Sequence, residues 1–389
     1  MEWLQRVLES SLLSQTGERT QIGASLVEYM ARALALAERA LGTTSPNPAV
    51  GAVLVRDGQV VGEGYTQPPG QAHAEIVALR QAGDKARGAT LYVTLEPCCH
   101  YGRTPPCVNA IIEARVREVH YATLDPNPLV NGRGRQQLEA AGIPVSAGDG
   151  AEASRRLNDA YCKFVTTGLP FVTAKFAASL DGRIAARGGD SKWITGEAAR
   201  QEAHRMRSLS DAVMVGIGTV LADDPQLTAR DALGQALPRQ PMRIVVDSHG
   251  RTPLAARLFR EPGPVVIACA SLPEERLRAY QDAGAEVVPL PSNDGRVDLQ
   301  GLLVLLGQRQ VTSVLAEGGS ALLGSLFDQR LVDKVAAFIA PVIIGGDAAL
   351  PAVGGQGAAS MAQALQLTDV SFRQFGDDLL VTGYPQRSE

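Results

Sequence analysis

His73-Ala74-Glu75, then Glu96-Pro97-Cys98, then Thr104-Pro105-Pro106-Cys107: the reading of this chain turns on these three short segments. Together they offer one imidazole, two thiols and a carboxylate. A catalytic zinc site takes three protein ligands and leaves its fourth position to water. The ion lowers the pKa of that water to about 7. His73, Cys98 and Cys107 are the candidate ligands, and Glu75 is left to move protons. A purely structural zinc would call for a fourth protein ligand and would have no use for Glu75.

The flanking pattern supports this. Residues 89–95 read as a buried strand, so Cys98 falls just past a strand end. The stretch Val108 to Val116 reads as a helix behind two prolines, which puts Cys107 in its first turn. A helix N-terminus favours the thiolate that zinc requires. His73 and Glu75 are two positions apart and cannot share one helical face. His73 is therefore expected at the very start of a helix running through Ile76 to Gln81. The arrangement follows the H-x-E…P-C-x-x-C signature of zinc nucleobase deaminases. It departs in one respect: the second cysteine comes nine positions after the first (107 − 98). The additional residues form a Gly- and Pro-rich loop, Gly102 to Pro106. Cys99 and His100 are also ligand types; Cys98 is preferred because it follows the proline. Cys162 and Cys269 read as small buried hydrophobes.

The 389 residues suggest two domains, and 45% apolar with 20% charged residues is ordinary for globular protein. A net charge of −4, with no basic run, gives no reason to expect nucleic acid. Five cysteines, three of them near the zinc pattern, suit a reducing cytoplasm. Residues 1–24 have no long apolar run and read as an extension of unassigned role, neither signal peptide nor membrane span. Residues 25–168 and 169–389 are the expected domains, divided at Gly168-Leu169-Pro170.

The first half alternates strands and helices, which implies an α/β layer structure. A helix is expected over Ser25 to Leu41 with a Ser25…Glu28 capping box. A hairpin follows, Ala49 to Val55 and Gln59 to Tyr65, and a single helix is expected over Ala151 to Thr167. The second half repeats the alternation and closes on two antiparallel strands turning at Gly376-Asp377-Asp378, which implies a mixed sheet. Two glycine turns there follow strands and precede helices, Val215-Gly216-Ile217-Gly218-Thr219 and Ala316-Glu317-Gly318-Gly319-Ser320. Such turns can hold phosphate. Leu221 stands where a G-x-G-x-x-G motif would have its third glycine, so the Rossmann signal is weak. Two turns in one domain favour a dinucleotide, and hydride transfer fits a domain without a nucleophile–base pair.

Longer motifs carry a family resemblance. They are Ser45 to Gly51 (SPNPAVG), the zinc pattern itself, Asp125-Pro126-Asn127-Pro128, Lys175 to Arg183 (KFAASLDGR), Gly216 to Arg230 (GIGTVLADDPQLTAR) and Glu317-Gly318-Gly319. From about residue 25 onward the chain closely resembles the bifunctional riboflavin-biosynthesis deaminase-reductases. The resemblance implies a cytidine-deaminase-like three-layer domain followed by a dihydrofolate-reductase-like domain with a mixed sheet. It implies deamination of a diaminopyrimidinone ribosylamine 5′-phosphate with one zinc ion, then NADPH-dependent reduction of the ribosyl group to ribityl. Asn47 is implied as a pyrimidine contact. Ala177, Trp193, Thr219, Asp223, Ser248, Gly319 and Ser320 are implied to face NADPH. Ser191, Arg207, Leu227, Arg230 and Glu317 are implied to face the reductase substrate, the arginines suiting its phosphate. A homodimer through the reductase domain is implied, with no nucleic-acid or membrane partner.

Two positions depart from the family pattern. Thr66 replaces a usual histidine, and Cys99 stands where a small residue is common. The competing readings are a tRNA or nucleoside deaminase fused to an unrelated oxidoreductase, and a zinc-stabilised binding module without activity.

Overall fold

The computed structural model of the protein describes the backbone of residues 17–292 and 294–386, with side chains from residue 27 onward. The chain forms two compact units, Met1–Thr167 and Gly168–Glu389. Among the described residues no helix is long and apolar enough to cross a membrane.

The first unit runs α1 (Gly17–Glu38), β1 (Gly51–Arg56), β2 (Gln59–Tyr65), α2 (Ala74–Ala82), β3 (Thr90–Leu95), α3 (Cys107–Glu113), β4 (Glu118–Thr123), α4 (Arg133–Ala140), β5 (Val145–Ala147), α5 (Ala151–Leu157) and α6 (Asp159–Thr167). The sheet order is β2-β1-β3-β4-β5. β1 is antiparallel to both its neighbours, whereas β3, β4 and β5 are parallel. Period-2 alternation along β1 builds the three layers. Ala52 and Leu54 pack with Ala74 and Ala78 of α2 and Val108 and Ile111 of α3. Val53 and Val55 face the other way, onto Met30, Ala33 and Leu34 of α1. The approach of α1 depends on Gly51, where a Cβ would lie 1.9 Å from the Ala33 carbonyl oxygen.

Two expectations need correction here. The helix expected from Ser25 begins by Gly17, so Ser25 lies inside it rather than at its start. The expected extension is thus already helical from Gly17, and its first sixteen residues lie outside the described chain. The helix expected over 151–167 is broken at Asn158, whose side chain accepts from Ala49 N (2.8 Å) and donates to the Ala49 carbonyl (3.0 Å). Pairing both backbone groups of the segment that enters β1 outweighs one more turn of helix.

The second unit runs β6 (Phe171–Ser179), β7 (Arg183–Ala185), α7 (Glu197–Leu209), β8 (Ala212–Gly216), α8 (Ile217–Asp223), β9 (Met242–Val246), β10 (Val265–Cys269), α9 (Glu274–Asp282), β11 (Ala285–Pro289), α10 (Leu299–Gln308), β12 (Ser313–Ala316), α11 (Ser320–Asp328), β13 (Lys334–Ala340), β14 (Leu350–Pro351), β15 (Leu367–Phe375) and β16 (Asp378–Pro385). Its large sheet has the order β11-β10-β9-β8-β12-β6-β13-β16-β15. Strands β11 through β13 in that order are parallel, and β16 and β15 are antiparallel. The mixed sheet and its closing hairpin match the sequence reading. One face carries α10 and α11, whose Leu302, Leu306, Leu322 and Leu326 cover Val172, Met214, Ile244 and Val314. The other carries α8 and α9 over Val213, Val215, Val245 and Ile267. The edge strand β11 was not expected, because Glu286 and Pro289 break the apolar run that marks the inner strands. Parallel strands bring their C-terminal ends to one edge of the sheet, the usual ligand edge of such folds. Both glycine turns lie along it, after β8 and after β12.

Candidate active site

His73 is the N-cap of α2, in extended conformation, and makes no capping bond with its side chain. The ring is therefore free to face the loop after β3 and the start of α3. Its Nδ1 lies 3.6 Å from Cys98 Sγ and 3.4 Å from Cys107 Sγ. The three ligand atoms all fall within 4.8 Å of one another. Zinc bonded to nitrogen at about 2.0–2.1 Å and to sulfur at about 2.3 Å, in tetrahedral geometry, requires N···S separations of about 3.5 Å. The donor set thus fits a zinc ion in both chemistry and spacing. Cys107, the first residue of α3, donates its backbone N–H to Cys98 Sγ at 3.3 Å. A hydrogen bond from the Cys107 thiol holds the Cys98 thiol down to about 4, and that bond, with burial, pushes Cys107 well up. A divalent cation between them favours thiolate at both.

Glu75 sits in the first turn of α2 and is buried. Burial pushes its carboxyl up to about 7, and the nearby Cys98 adds to the rise. That is the range in which a group both takes and gives a proton at neutral pH. Cys99 turns away, its thiol 3.7 Å from the Leu129 carbonyl.

These groups line an open cleft of about 890 Å³, counting its mouth, with Asn47 between Pro46 and Pro48 on one wall. Thr66 lines it too, but its hydroxyl is bound to the backbone of Val50, both N (3.2 Å) and O (3.4 Å). The loop after β4 supplies Asp125 and Asn127. Asp125 accepts from Tyr161 Oη at 2.9 and 3.1 Å and from Asn127 N at 2.9 Å. Burial pushes it up to about 6 despite those donors. Glu96 organises the same wall by accepting from the backbone N–H groups of Asp125, Gly132 and Arg135. At Gly134 a Cβ would come 2.1 Å from the Pro97 carbonyl oxygen, so the loop packs directly on the residue before Cys98.

Sequence reasoning gave no site role to four contributors. Asp125 and Asn127 were seen only as a motif. His100, whose buried Nδ1 has no hydrogen-bond partner, was considered only as a possible ligand. Thr104 was not singled out, yet its Oγ1 lies 3.1 Å from His73 Nε2. No spacing rule marks such residues; the long loop between the cysteines was the only hint.

In the second unit the named residues gather at the ligand edge but form two groups. Glu317, just past β12, is gripped by Arg207 through Nε (2.5 Å) and Nη2 (2.9 Å) and approached by Lys175 Nζ at 3.5 Å. Burial alone would raise the Glu317 carboxyl; Arg207 and Lys175 outweigh it and hold it down to about 2. Arg207 spends its remaining Nη1 on the Thr228 carbonyl at 3.3 Å. Arg230 likewise serves Thr228 Oγ1 and the Gly234 carbonyl. Both guanidiniums thus already have partners within the chain. Leu227 has φ of 57° and a buried side chain, so only its backbone is on offer to a ligand.

The second group lines the glycine turns. Gly319 N donates to Thr219 Oγ1 at 2.9 Å, and Gly319 is the N-cap of the nine-residue α11 with no side-chain cap. A Cβ on Gly218 would meet nothing within 4 Å. Open space beside an uncapped helix start fits a dinucleotide phosphate. Ser191 Oγ donates to Asp223 Oδ1 at 2.8 Å, linking a residue expected at the substrate to one expected at the cofactor. Trp193 is 72% exposed, with the Arg200 guanidinium 4.5 Å over its ring, and so presents a broad face to this edge. Ala177 is on β6 beside Phe338, and the Ser248 carbonyl accepts from Ala270 N and Ser271 N.

Residues 23–123 match the cytidine and deoxycytidylate deaminase zinc-binding region, and residues 170–381 match the RibD C-terminal domain. The riboflavin biosynthesis protein RibD of Actinobacillus pleuropneumoniae is 43% identical over 357 residues, covering 91% of this chain and 94% of that protein. A solved structure of Acinetobacter baumannii RibD is 40% identical, with a TM-score of 0.84 over 94% of this chain and 99% of that one. A Thermotoga maritima diaminohydroxyphosphoribosylaminopyrimidine deaminase/5-amino-6-(5-phosphoribosylamino)uracil reductase is 36% identical, with a TM-score of 0.81 over 93% and 99%. Fusion to an unrelated oxidoreductase is thereby excluded. The chain belongs to the RibD family of riboflavin-biosynthesis enzymes, in which a zinc-binding deaminase domain is followed by a reductase domain.

Proposed function

We propose that His73 Nδ1, Cys98 Sγ and Cys107 Sγ would hold one zinc ion, and that Glu75 is the proton carrier of a hydrolytic deamination. The substrate is 2,5-diamino-6-ribosylamino-4(3H)-pyrimidinone 5′-phosphate. The observation that carries this reading is the N···S spacing of 3.4 and 3.6 Å beside a buried carboxyl. Zinc, when bound, supplies a water acidic enough to react near neutral pH. Glu75 takes the proton that water gives up and delivers it toward the ring and the departing amine; a carboxyl near 7 does both. Asn47, which lines the same cleft, orients the pyrimidine.

The second unit then reduces the ribosyl group of 5-amino-6-(5-phosphoribosylamino)uracil. NADPH supplies the hydride. Ala177, Trp193, Thr219, Asp223, Ser248, Gly319 and Ser320 would hold the dinucleotide along the sheet edge. The paired charges of Lys175, Arg207 and Glu317, together with Ser191 and the Leu227 and Arg230 segment, orient the substrate. Five unpaired thiols suit a cytoplasmic enzyme. A homodimer through the reductase unit is part of this proposal, and sedimentation would measure it.

The test is a metal analysis combined with a coupled assay. With the phosphorylated diaminopyrimidinone present, NADPH is oxidised and ammonia appears in equal amount; chelation stops both, and deaminated product then restores NADPH oxidation but not ammonia release. Turnover of cytidine or adenosine in place of that substrate would sink the reading.

A further inference from the structure

We infer that Thr104 is a positioning residue for the metal histidine. With Nδ1 turned to the metal position, His73 Nε2–H donates to the Thr104 hydroxyl, which holds the ring in that orientation. This rests on the reading of His73 as a zinc ligand.

Neutral imidazole carries one N–H and one lone pair, and the partner of one nitrogen decides what the other offers. In His73, Nδ1 faces the two sulfurs and Nε2 faces Thr104 Oγ1 at 3.1 Å. The ring is held at both ends by one loop, since Thr104 and Cys107 both belong to the segment after Cys98. This gives the loop's length a purpose. A C-x-x-C connection has no residue to spare for the outer side of the histidine. The longer connection carries Thr104 there and returns through Pro105 and Pro106, which restrict the backbone just before Cys107. Gly102 N bonds to the Thr104 carbonyl at 3.3 Å and steadies the bend.

The choice of a hydroxyl also has a reason. Zinc histidines are often backed by a carboxylate. Here Glu75 and two thiols already crowd the site, and another anion would oppose the ionisation of all three. Threonine orients the ring without adding charge.

Zinc affinity of the full-length protein, measured by chelator competition, tests this in Thr104→Val and Thr104→Ser, with His73→Ala as control. Outer partners of metal ligands are worth about 10–100-fold in affinity. T104V, which keeps the shape and loses the acceptor, is expected to weaken zinc by that factor, while T104S stays within a few-fold of the parent. Imidazole nitrogen NMR of the zinc-loaded protein should show the Nε2 proton hydrogen-bonded in the parent and T104S alone. Unchanged affinity in T104V overturns the inference. So does equal weakening in both variants, which would assign the effect to loop shape. If His73→Ala retains zinc at parental affinity, the metal reading itself falls, and the inference with it.

Discussion

Glu75 and Glu317 are both buried glutamates at the working edge of a sheet, yet their charges are driven in opposite directions. Around Glu75 stand thiols and apolar walls, and its carboxyl rises to about 7. Around Glu317 stand Arg207 and Lys175, and its carboxyl falls to about 2. The difference separates two styles of catalysis. The deaminase unit keeps a proton poised on its own side chain. The reductase unit fixes its charges permanently, as befits a site whose cofactor carries the chemistry. Asp125 extends the first pattern.

The sharpest way to break this contrast is Glu75→Gln. It removes the proton carrier and keeps the shape, so deamination should fall by about 10²–10⁴-fold. Zinc content and reduction of pre-deaminated substrate should remain at parental levels. Deamination at the normal rate in a zinc-loaded E75Q protein would show that Glu75 carries no proton.

Next in size is Glu317→Ala. It strands two partly buried cations, at a cost of up to about 3–5 kcal/mol. The reductase unit should unfold at lower denaturant, followed through Trp193 fluorescence, and reduction should be lost. Ammonia release by the other unit should persist at temperatures where both still fold.

The smallest effect is a pH dependence, and its sign tests the contrast directly. The Asp125 carboxyl rises from an ordinary 3.8 to about 6, so the folded state binds this proton more tightly than the unfolded state does. Relative to Asp125→Asn, the parent should be most stable below about pH 4. It should lose on the order of 2–3 kcal/mol as pH rises through about 6, then level off. Glu317, lowered from 4.5 to about 2, has the opposite linkage: its contribution is present above about pH 4.5 and disappears as pH falls toward 2. Unfolding curves between pH 4 and 8 for the parent and D125N measure the first; a flat difference would mean that Asp125 is ionised throughout.

Much of this was legible locally. The turn at Asp57-Gly58, both residues with positive φ, is the kind a two-residue hairpin demands. His73 at a helix start and Cys107 in a first turn followed from spacing and prolines. The break at Asn158 was illegible, because its cause is the backbone of Ala49, far away in the chain. Strand β11 was hidden by the composition of an edge. The partners of Arg207 and Arg230 were hidden for a related reason. A guanidinium that pairs with a buried carboxylate and one that waits for phosphate look the same in a sequence.

The sequence by itself determined the donor set, the two-unit plan and the family, because ligand chemistry, hydrophobic period and turn residues are local properties. Only the tertiary structure decided what each ionisable group does. The packing of the loop after β3 against α2 brought Thr104 to the outer nitrogen of His73. Burial raised Glu75 and Asp125, and the approach of Arg207 and Lys175 lowered Glu317. Charge state follows from solvent exclusion and from distances between remote segments, and neither exists until the chain has folded.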